Sequence, residues 1–116
     1  MQKGNYMYKM NGKSYERAIE VAIDVLDGKW KIYILWHLQE GPQRNSELLK
    51  AIPGISQKML TQKLRELESE KIIERTVYPE IPPRVEYTLT RFGQKLKPIM
   101  MMLEQWGEDY LGELKK

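Results

Sequence analysis

The sequence contains no cysteine, and this absence removes several classes of function at once. Disulfide bonds, thiol redox sensing, zinc bound by cysteine and a cysteine nucleophile are all excluded within this chain. The only histidine, His37, lies in a strongly apolar segment, and one histidine without partners makes neither a zinc site nor a catalytic triad. We therefore interpret His37 as a packing or helix-surface residue, and we expect no metal and no cofactor.

Long apolar runs are missing as well. No run approaches the roughly 18 apolar residues that a membrane span needs, and residues 1–3 lead into no signal-peptide core. The 116 residues, of which 41% are apolar, suffice for one folded domain but not for two. We expect a cytoplasmic protein that does not enter a membrane.

Positive charge is only mildly in excess, with a formal net charge of +3 and a pI near 9.0. So small an excess does not by itself indicate a nucleic-acid partner, and the placement of lysine and arginine has to decide. Residues 53–71 supply that placement. Pro53 and Gly54 form a tight bend, after which Ser56 is positioned to cap a helix over about residues 56–70.

This predicted helix has two different faces when each residue is advanced by about 100°. Leu60, Leu64 and Leu67 fall on one side, where they can pack against a core. The opposite side carries two cations, two small hydrogen-bonding groups and no acid: Lys58, Thr61, Gln62 and Arg65. Such side chains pair with base edges and phosphates. We interpret this face as reading DNA in preference to a plain solvated surface, and the following acidic run as a solvated helix side: Glu66, Glu68 and Glu70.

The segments before this helix are predicted to form an arm and two longer helices. Residues 1–13 show no helical period and are interpreted as a flexible arm, part of which packs on something such as a second subunit. Ser14 is positioned to cap a first helix that ends near Leu26. Residues 29–39 are apolar almost all round, which is typical of a central helix.

A short helix is predicted immediately before the proline-glycine bend. Asn45 is positioned to cap it, and it ends near Ala51. Two helices joined by a tight turn predict a helix-turn-helix unit.

After residue 71 the apolar period changes from 3.6 to 2, which is typical of strands. Two alternating runs flank residues 79–84, which contain three prolines and therefore predict the rigid loop of a β-hairpin. A hairpin directly after a helix-turn-helix predicts a winged helix, whose wing reaches the adjacent backbone or minor groove. Arg84 is the candidate wing contact, and the alternative is an ordinary solvent-exposed loop arginine.

Thr90 is positioned to cap a last helix with a heptad-like apolar seam. The seam residues are Phe92, Leu96, Ile99, Leu103, Trp106 and Tyr110. Because the core of one small domain cannot cover a seam of this length, we interpret it as a dimer contact in preference to internal packing.

Aromatic residues of the central helix form a second candidate site. Trp30, Tyr33 and Trp36, together with Trp106 and Tyr110, are placed to line a cleft for a small-molecule effector between the dimer helices and the DNA-binding body. The alternative is ordinary aromatic packing.

The predicted fold is mainly α with a small β-hairpin, that is, α+β. It consists of a winged helix-turn-helix over residues 14–90, with its recognition helix at about 56–70 and its wing at about 73–90. The flexible arm over residues 1–13 precedes it, and a dimerisation helix over residues 91–116 follows.

Several long motifs are specific enough to indicate a family: GKWK at residues 28–31, PGISQKMLTQKLREL at residues 53–67 and YPEIPPRVEYTLT at residues 78–90. Together they resemble the HxlR-type winged-helix transcriptional regulators of bacteria and archaea. The resemblance implies a homodimer whose N- and C-terminal helices pair, with two recognition helices in successive major grooves. Carried over by position, it implies DNA contacts from the recognition helix and the wing: Ser56, Gln57, Lys58, Thr61, Gln62, Arg65 and Arg84.

The sequence departs from this family at one informative point. Many members that sense oxidants carry a cysteine just before the first helix, whereas this chain has Ser14 near that position. Any signal to which the protein responds must therefore be a bound ligand or a partner, or the protein responds to no signal.

These residues bear on three classes of function. The first is a sequence-specific regulator that binds double-stranded DNA as a homodimer, with pseudo-palindromic half-sites about 34 Å apart. The second is a winged helix used for protein interaction without DNA, which would expose aromatics and lose cations at Lys58, Arg65 and Arg84. The sequence shows the reverse pattern there. An enzyme is not expected, because the sequence has no phosphate-cradling glycine loop and no metal-ligand cluster.

Overall fold

Helices dominate the computed structural model, which describes residues 8–10 and 12–116. The elements in chain order are β1 (Tyr8–Met10), β2 (Lys13–Tyr15), α1 (Ala18–Val25), α2 (Lys29–Leu38), α3 (Asn45–Ala51), α4 (Gln57–Ser69), β3 (Ile73–Tyr78), β4 (Arg84–Leu89) and α5 (Leu96–Leu114). The predicted α+β class and the winged helix-turn-helix are confirmed.

The core lies where α2, α3 and α4 meet beneath the β3–β4 hairpin. Its fully buried side chains are Ile34, Leu35, Leu38, Leu48, Ile52, Leu60, Leu64, Leu67 and Ile73. Three of them come from α2, so this helix is central, as its apolar pattern predicts. The three leucines of α4 are buried on one side of that helix, which turns its opposite side toward solvent.

The end of α4 sets the direction in which the chain enters the wing. The amide of Ile72 donates to the Leu67 carbonyl and that of Lys71 donates to Glu68, both at 3.0 Å. This is the Schellman pattern, and Lys71 adopts the left-handed conformation that it requires, with φ of 63°. Ile72 is buried directly after this reversal, so β3 starts against α4.

The wing is an antiparallel hairpin in regular register, from Ile73 opposite Leu89 at its base to Tyr78 opposite Arg84 at its tip. Gln43 extends this sheet by a single residue. Its amide donates to the Tyr87 carbonyl at 3.0 Å, and the Tyr87 amide donates back to Gln43 at 2.8 Å. A single residue cannot show an alternation of apolar and polar side chains, so the sequence pattern does not predict that Gln43 joins the sheet.

The N-terminal segment differs from the predicted flexible arm. Residues 8–10 and 13–15 form the β1–β2 hairpin, in which Ser14 is paired with Lys9. The prediction that Ser14 caps the first helix is therefore wrong. Tyr15 is buried and its hydroxyl donates to Asp24 at 2.5 Å, which fastens this hairpin to α1. The rest of the predicted arm, residues 1–7 and 11, lies outside the described residues.

The starts of α1 and α3 share a different capping device from the one predicted. In α1 the Arg17 amide donates to the Glu20 carboxylate at 2.9 Å. In α3 the Arg44 amide donates to Glu47 at 2.7 Å, so Asn45 is the first helical residue and not the cap. In both helices a glutamate in the first turn binds the amide of the residue that precedes the helix, which replaces a serine or asparagine cap.

Thr90 does accept a hydrogen bond at the start of the last helical segment, from the Gly93 amide at 2.9 Å. A 3₁₀ turn (Gly93–Lys95) intervenes, however, so α5 itself begins only at Leu96.

Among the residues of α5, Met100 alone is buried, and most of the helix projects from the body. The radius of gyration is accordingly 16.8 Å, against about 13 Å for a compact chain of this length. No helix in the described part of the chain combines the length and apolar character needed to cross a membrane.

Candidate nucleic-acid interface

Helix α4 begins with the cap that its sequence predicts. The Ser56 hydroxyl accepts a hydrogen bond from the Met59 amide at 3.0 Å. This cap satisfies one of the free amides at the helix start, and the remaining ones lie at an exposed end of the helix. Such an end attracts anions, because unpaired amides and the helix dipole both favour negative charge.

The exposed face of α4 brings the predicted contact residues together. Ser56, Gln57, Lys58, Gln62 and Arg65 are exposed, and Thr61 is half-buried. A shallow concavity runs along this face, lined by Gln57, Lys58, Thr61, Gln62, Arg65 and Glu66. Gln57 Nε2 donates to Thr61 Oγ1 at 3.0 Å, which orders the first turn. All six predicted residues of the recognition helix therefore share one accessible surface.

The two cations of this face are not neutralised by any carboxylate in the described part of the chain. Lys58 and Arg65 form no ion pair with any carboxylate in residues 8–10 and 12–116. By contrast, Lys63 at the margin of the face is paired with Glu66 at 3.2 Å. The charges of Lys58 and Arg65 are thus available to an external anion.

Lys31 anchors the C-terminal half of α4, and sequence reasoning missed it. This lysine is only 5% exposed, yet it sits on the central helix. Its Nζ donates to the Val25 carbonyl at 3.1 Å and to Glu70 at 3.0 Å, and it lies 4.0 Å from Glu66. The interpretation of Glu66 and Glu70 as a solvated side is therefore wrong. A lone lysine in an otherwise apolar segment is the signal that could have indicated this buried pair.

The wing arginine is not free. Arg84 Nε and Nη2 each lie 2.9 Å from Glu80 Oε2, and Nη1 lies 2.6 Å from Glu86 Oε2. The guanidinium also stacks 3.8 Å above the ring of Tyr78. The hydrogen bonds to Glu80 and then to Glu86 raise the pKa of Arg84. Arg84 is therefore held on the hairpin by two carboxylates, and the concavity on α4 does not include it.

The predicted effector cleft is present in part. Tyr33 and Trp36 line a cleft of about 300 Å³ between α2 and α5, together with Ile32, Met100, Leu103 and Glu104. Trp30 does not line this cleft, because its ring packs by the bend at Gly54. Trp106 and Tyr110 lie outside it as well and stack on each other, with ring centroids 5.3 Å apart.

The predicted dimer seam is largely uncovered. Phe92, Ile99, Leu103, Trp106 and Tyr110 are each at least half exposed, whereas Leu96 is half-buried. Two residues of α1 add to the exposed apolar surface, namely Ile19 and Ile23.

His37 is half-buried on α2. No three carboxylate or imidazole side chains come together as metal ligands within the described residues.

Comparison with known proteins agrees with this geometry. The profile of the HxlR-like helix-turn-helix family matches residues 25–115. The chain belongs to this family. It is 46% identical over 105 residues to the HTH-type transcriptional regulator YtcD of Bacillus subtilis strain 168, covering 90% of this chain and 83% of YtcD.

Further HxlR-like similarity extends to an archaeal protein and to a solved structure. An HTH-type transcriptional regulator of Methanothermobacter thermautotrophicus is 48% identical over 101 residues, covering 87% of this chain and 77% of that protein. The reduced form of the redox regulator HypR superposes with a TM-score of 0.80 at 42% identity, covering 85% of this chain and 98% of HypR. The two curated relatives are named as HTH-type transcriptional regulators, and HypR as a redox regulator. This HxlR-like chain is a DNA-binding transcriptional regulator with a winged helix-turn-helix.

Proposed function

We propose that this HxlR-like regulator binds a pseudo-palindromic operator as a homodimer, with one α4 in the major groove of each half-site. The observation that carries the proposal is the exposed outer face of α4, on which Lys58 and Arg65 have no carboxylate partner within the described residues. A helix with such a face fits the major groove, which admits an α-helix and presents acceptors to cations. A regulator that binds a chromosomal operator acts in the cytoplasm.

We infer the role of each side chain from its position along α4. Ser56, Gln57 and Lys58 lie at the exposed helix start, where amides and a cation favour phosphate. Thr61, Gln62 and Arg65 follow on the same face, one to two turns further along, and reach base edges. We assign backbone positioning to the first group and base discrimination to the second.

The homodimer is supported by the exposed apolar surface of α1 and α5. A single chain leaves Ile19, Ile23, Ile99, Leu103 and Trp106 at least half exposed. Several exposed apolar side chains on the same two helices of a small domain are typical of an interaction site. Self-association through a two-fold axis would cover it and would place two copies of α4 about 34 Å apart.

Arg65→Ala tests the proposed base reading. We expect this variant to lose about 1–3 kcal/mol of binding free energy on the operator, and to discriminate less at one base pair of each half-site. Lys115→Ala is the matched control, because it removes one exposed positive charge at the far end of α5. The measurement is fluorescence anisotropy at fixed salt with the region upstream of the gene. Equal affinity for operator and substituted operator in both the wild type and Arg65→Ala would defeat the assignment.

A protein-interaction module without DNA binding is the competing use of the same face. It would call for exposed aromatic anchors on α4, and the outer face carries polar and cationic residues instead. A wild-type chain that ignores its upstream DNA at low salt but captures a protein through α4 would favour this alternative.

We also propose the cleft between α2 and α5 as the site of a small apolar effector. Its lining is almost wholly apolar, apart from the carboxylate of Glu104, and Trp36 would report on occupancy. Saturable quenching of tryptophan fluorescence by a small aromatic compound, absent in Trp36→Phe, is the expected result. A screen of aromatic metabolites without any saturable change would speak against the cleft.

A further inference from the structure

The two carboxylates that hold Arg84 differ in how accessible they are. The side chain of Glu80, in the loop at the wing tip, is 53% exposed, whereas that of Glu86 on β4 is 18% exposed. Tyr78 closes one face of the guanidinium at 3.8 Å. Glu86 and Tyr78 therefore hold the guanidinium of Arg84 in place on the hairpin. Glu80 is the partner that solvent and an incoming ligand can reach.

We propose that Glu80 competes with a DNA phosphate for Arg84, so that the wing contacts DNA only by exchanging one anion for the other. The inference rests on the proposed DNA-binding function and adds a residue to it that limits nonspecific binding. Carboxylate and phosphate both suit the planar fork of arginine, so one can replace the other without moving the guanidinium. Glu86 and Tyr78 keep the arginine aimed during this exchange.

The exchange changes how the wing depends on salt. A free arginine that binds phosphate releases condensed counterions from the DNA. In this wing the displaced Glu80 becomes a free carboxylate near the DNA. This carboxylate attracts cations again and so opposes the gain in affinity that counterion release brings. Arg84 therefore adds little affinity for an arbitrary duplex. It contributes only where the position of the recognition helix brings a phosphate into the place of Glu80, which favours the operator over random DNA.

Glu80→Gln separates this exchange from a passive ion pair. We expect the variant to bind random duplex DNA about 3–10-fold more tightly at low salt, with a plot of log K against log salt steeper by about 0.9. Its specificity ratio of operator to random DNA should fall. Glu113→Gln is the charge-matched control, since it removes an exposed carboxylate from the far end of α5. Glu80 lies in an exposed loop, and equal thermal unfolding of both variants and the wild type checks the fold.

A double-variant comparison decides the mechanism. In an Arg84→Gln background the gain from Glu80→Gln should shrink to the effect of Glu113→Gln, because no guanidinium is left to release. A gain that persists in that background, or a Glu80→Gln variant that matches Glu113→Gln in affinity and salt slope, overturns the exchange. A wild type that binds neither operator nor random DNA would instead refute the proposed function itself.

Discussion

Tyr15 ties the N-terminal hairpin to α1, and its hydrogen bond makes this junction sensitive to pH. The bond to Asp24 raises the pKa of Tyr15 from 10.0 to about 12. The same bond lowers the pKa of Asp24 below its ordinary value of 3.8. The bond therefore stabilises the fold fully between these limits. Its contribution is lost as the pH rises from 10 through about 12, and again as the pH falls below 3.8.

Tyr15→Phe should remove both of these pH dependences. We expect the variant to be less stable at neutral pH and to show a flatter free energy of unfolding between pH 10 and 12. The pKa of Asp24, followed by NMR of its carboxyl carbon, should return toward 3.8. Tyr8→Phe, on the strand opposite, is the control, because Tyr8 is an exposed residue. An unchanged Asp24 titration in Tyr15→Phe would refute the coupling.

Lys31 provides a second test at the scale of single residues. Lys31→Met leaves the Glu70 carboxylate, whose side chain is 14% exposed, without its cation. We expect a loss of roughly 3 kcal/mol in the free energy of unfolding, measured by urea denaturation. Adding Glu70→Gln should restore most of it, since an amide needs no counter-ion. If the double variant is as unstable as Lys31→Met alone, the loss comes from packing and not from the ion pair.

Sequence reasoning at this scale succeeded where a residue's role follows from its position along one helix. The leucine spacing of α4 fixed which side chains face outward, and the structure exposes Lys58 and Arg65 as predicted. It failed where a role depends on a partner elsewhere in the chain. Lys31 and Glu70 are 39 residues apart, so no local pattern connects them. The partners of Arg84, by contrast, lie only four and two residues away along the wing, so the local sequence does carry a signal for this pairing.

At the scale of elements, the join between the wing and α5 depends on a close approach of backbones. A Cβ atom placed on Gly93 would lie 2.1 Å from the Ile72 carbonyl oxygen, so only glycine fits there. The Thr90 hydroxyl donates to that same carbonyl at 3.1 Å and accepts from the Gly93 amide at 2.9 Å. This contact fixes where α5 leaves the body.

Gly93→Ala should therefore destabilise the fold by about 1–3 kcal/mol, because backbone atoms must shift to admit one methyl group. Gly112→Ala is the control within α5, where an added Cβ meets no atom within 4 Å. That variant should gain up to about 1 kcal/mol from helix propensity. Thermal unfolding of both variants gives the comparison, and equal stability of the two would contradict the close approach.

Element boundaries were predictable where the apolar period is long. The recognition helix and the wing strands lie within a residue or two of their predicted limits. The β1–β2 hairpin was missed, because strands of three residues show no period and their stability comes from the contact of Tyr15 with α1. The starts of α1 and α3 were misplaced, because a glutamate in the first turn does the capping there.

At the scale of the whole molecule, the proposed dimer rests on α5, because most of the apolar side chains of this helix are exposed in the single chain. Trp106 is 64% exposed and stacks on Tyr110, beyond the last buried residue of the helix. Trp106→Glu should leave the fold intact but prevent dimer formation, and it should weaken binding to a two-site operator. Gln105→Glu adds the same charge one residue away and off the seam. Light scattering should show a monomer for the first variant and a dimer for the second, whereas a dimeric Trp106→Glu would exclude this seam.

The most direct measurement of the central claim is protection of guanine N7 against methylation on the operator. If two copies of α4 read successive major grooves, the wild type protects guanines in two patches about one helical turn apart. In Arg65→Ala one guanine of each patch should become reactive again while the complex persists. Binding without protected guanines in the major groove, or protection that Arg65→Ala leaves unchanged, would contradict the account.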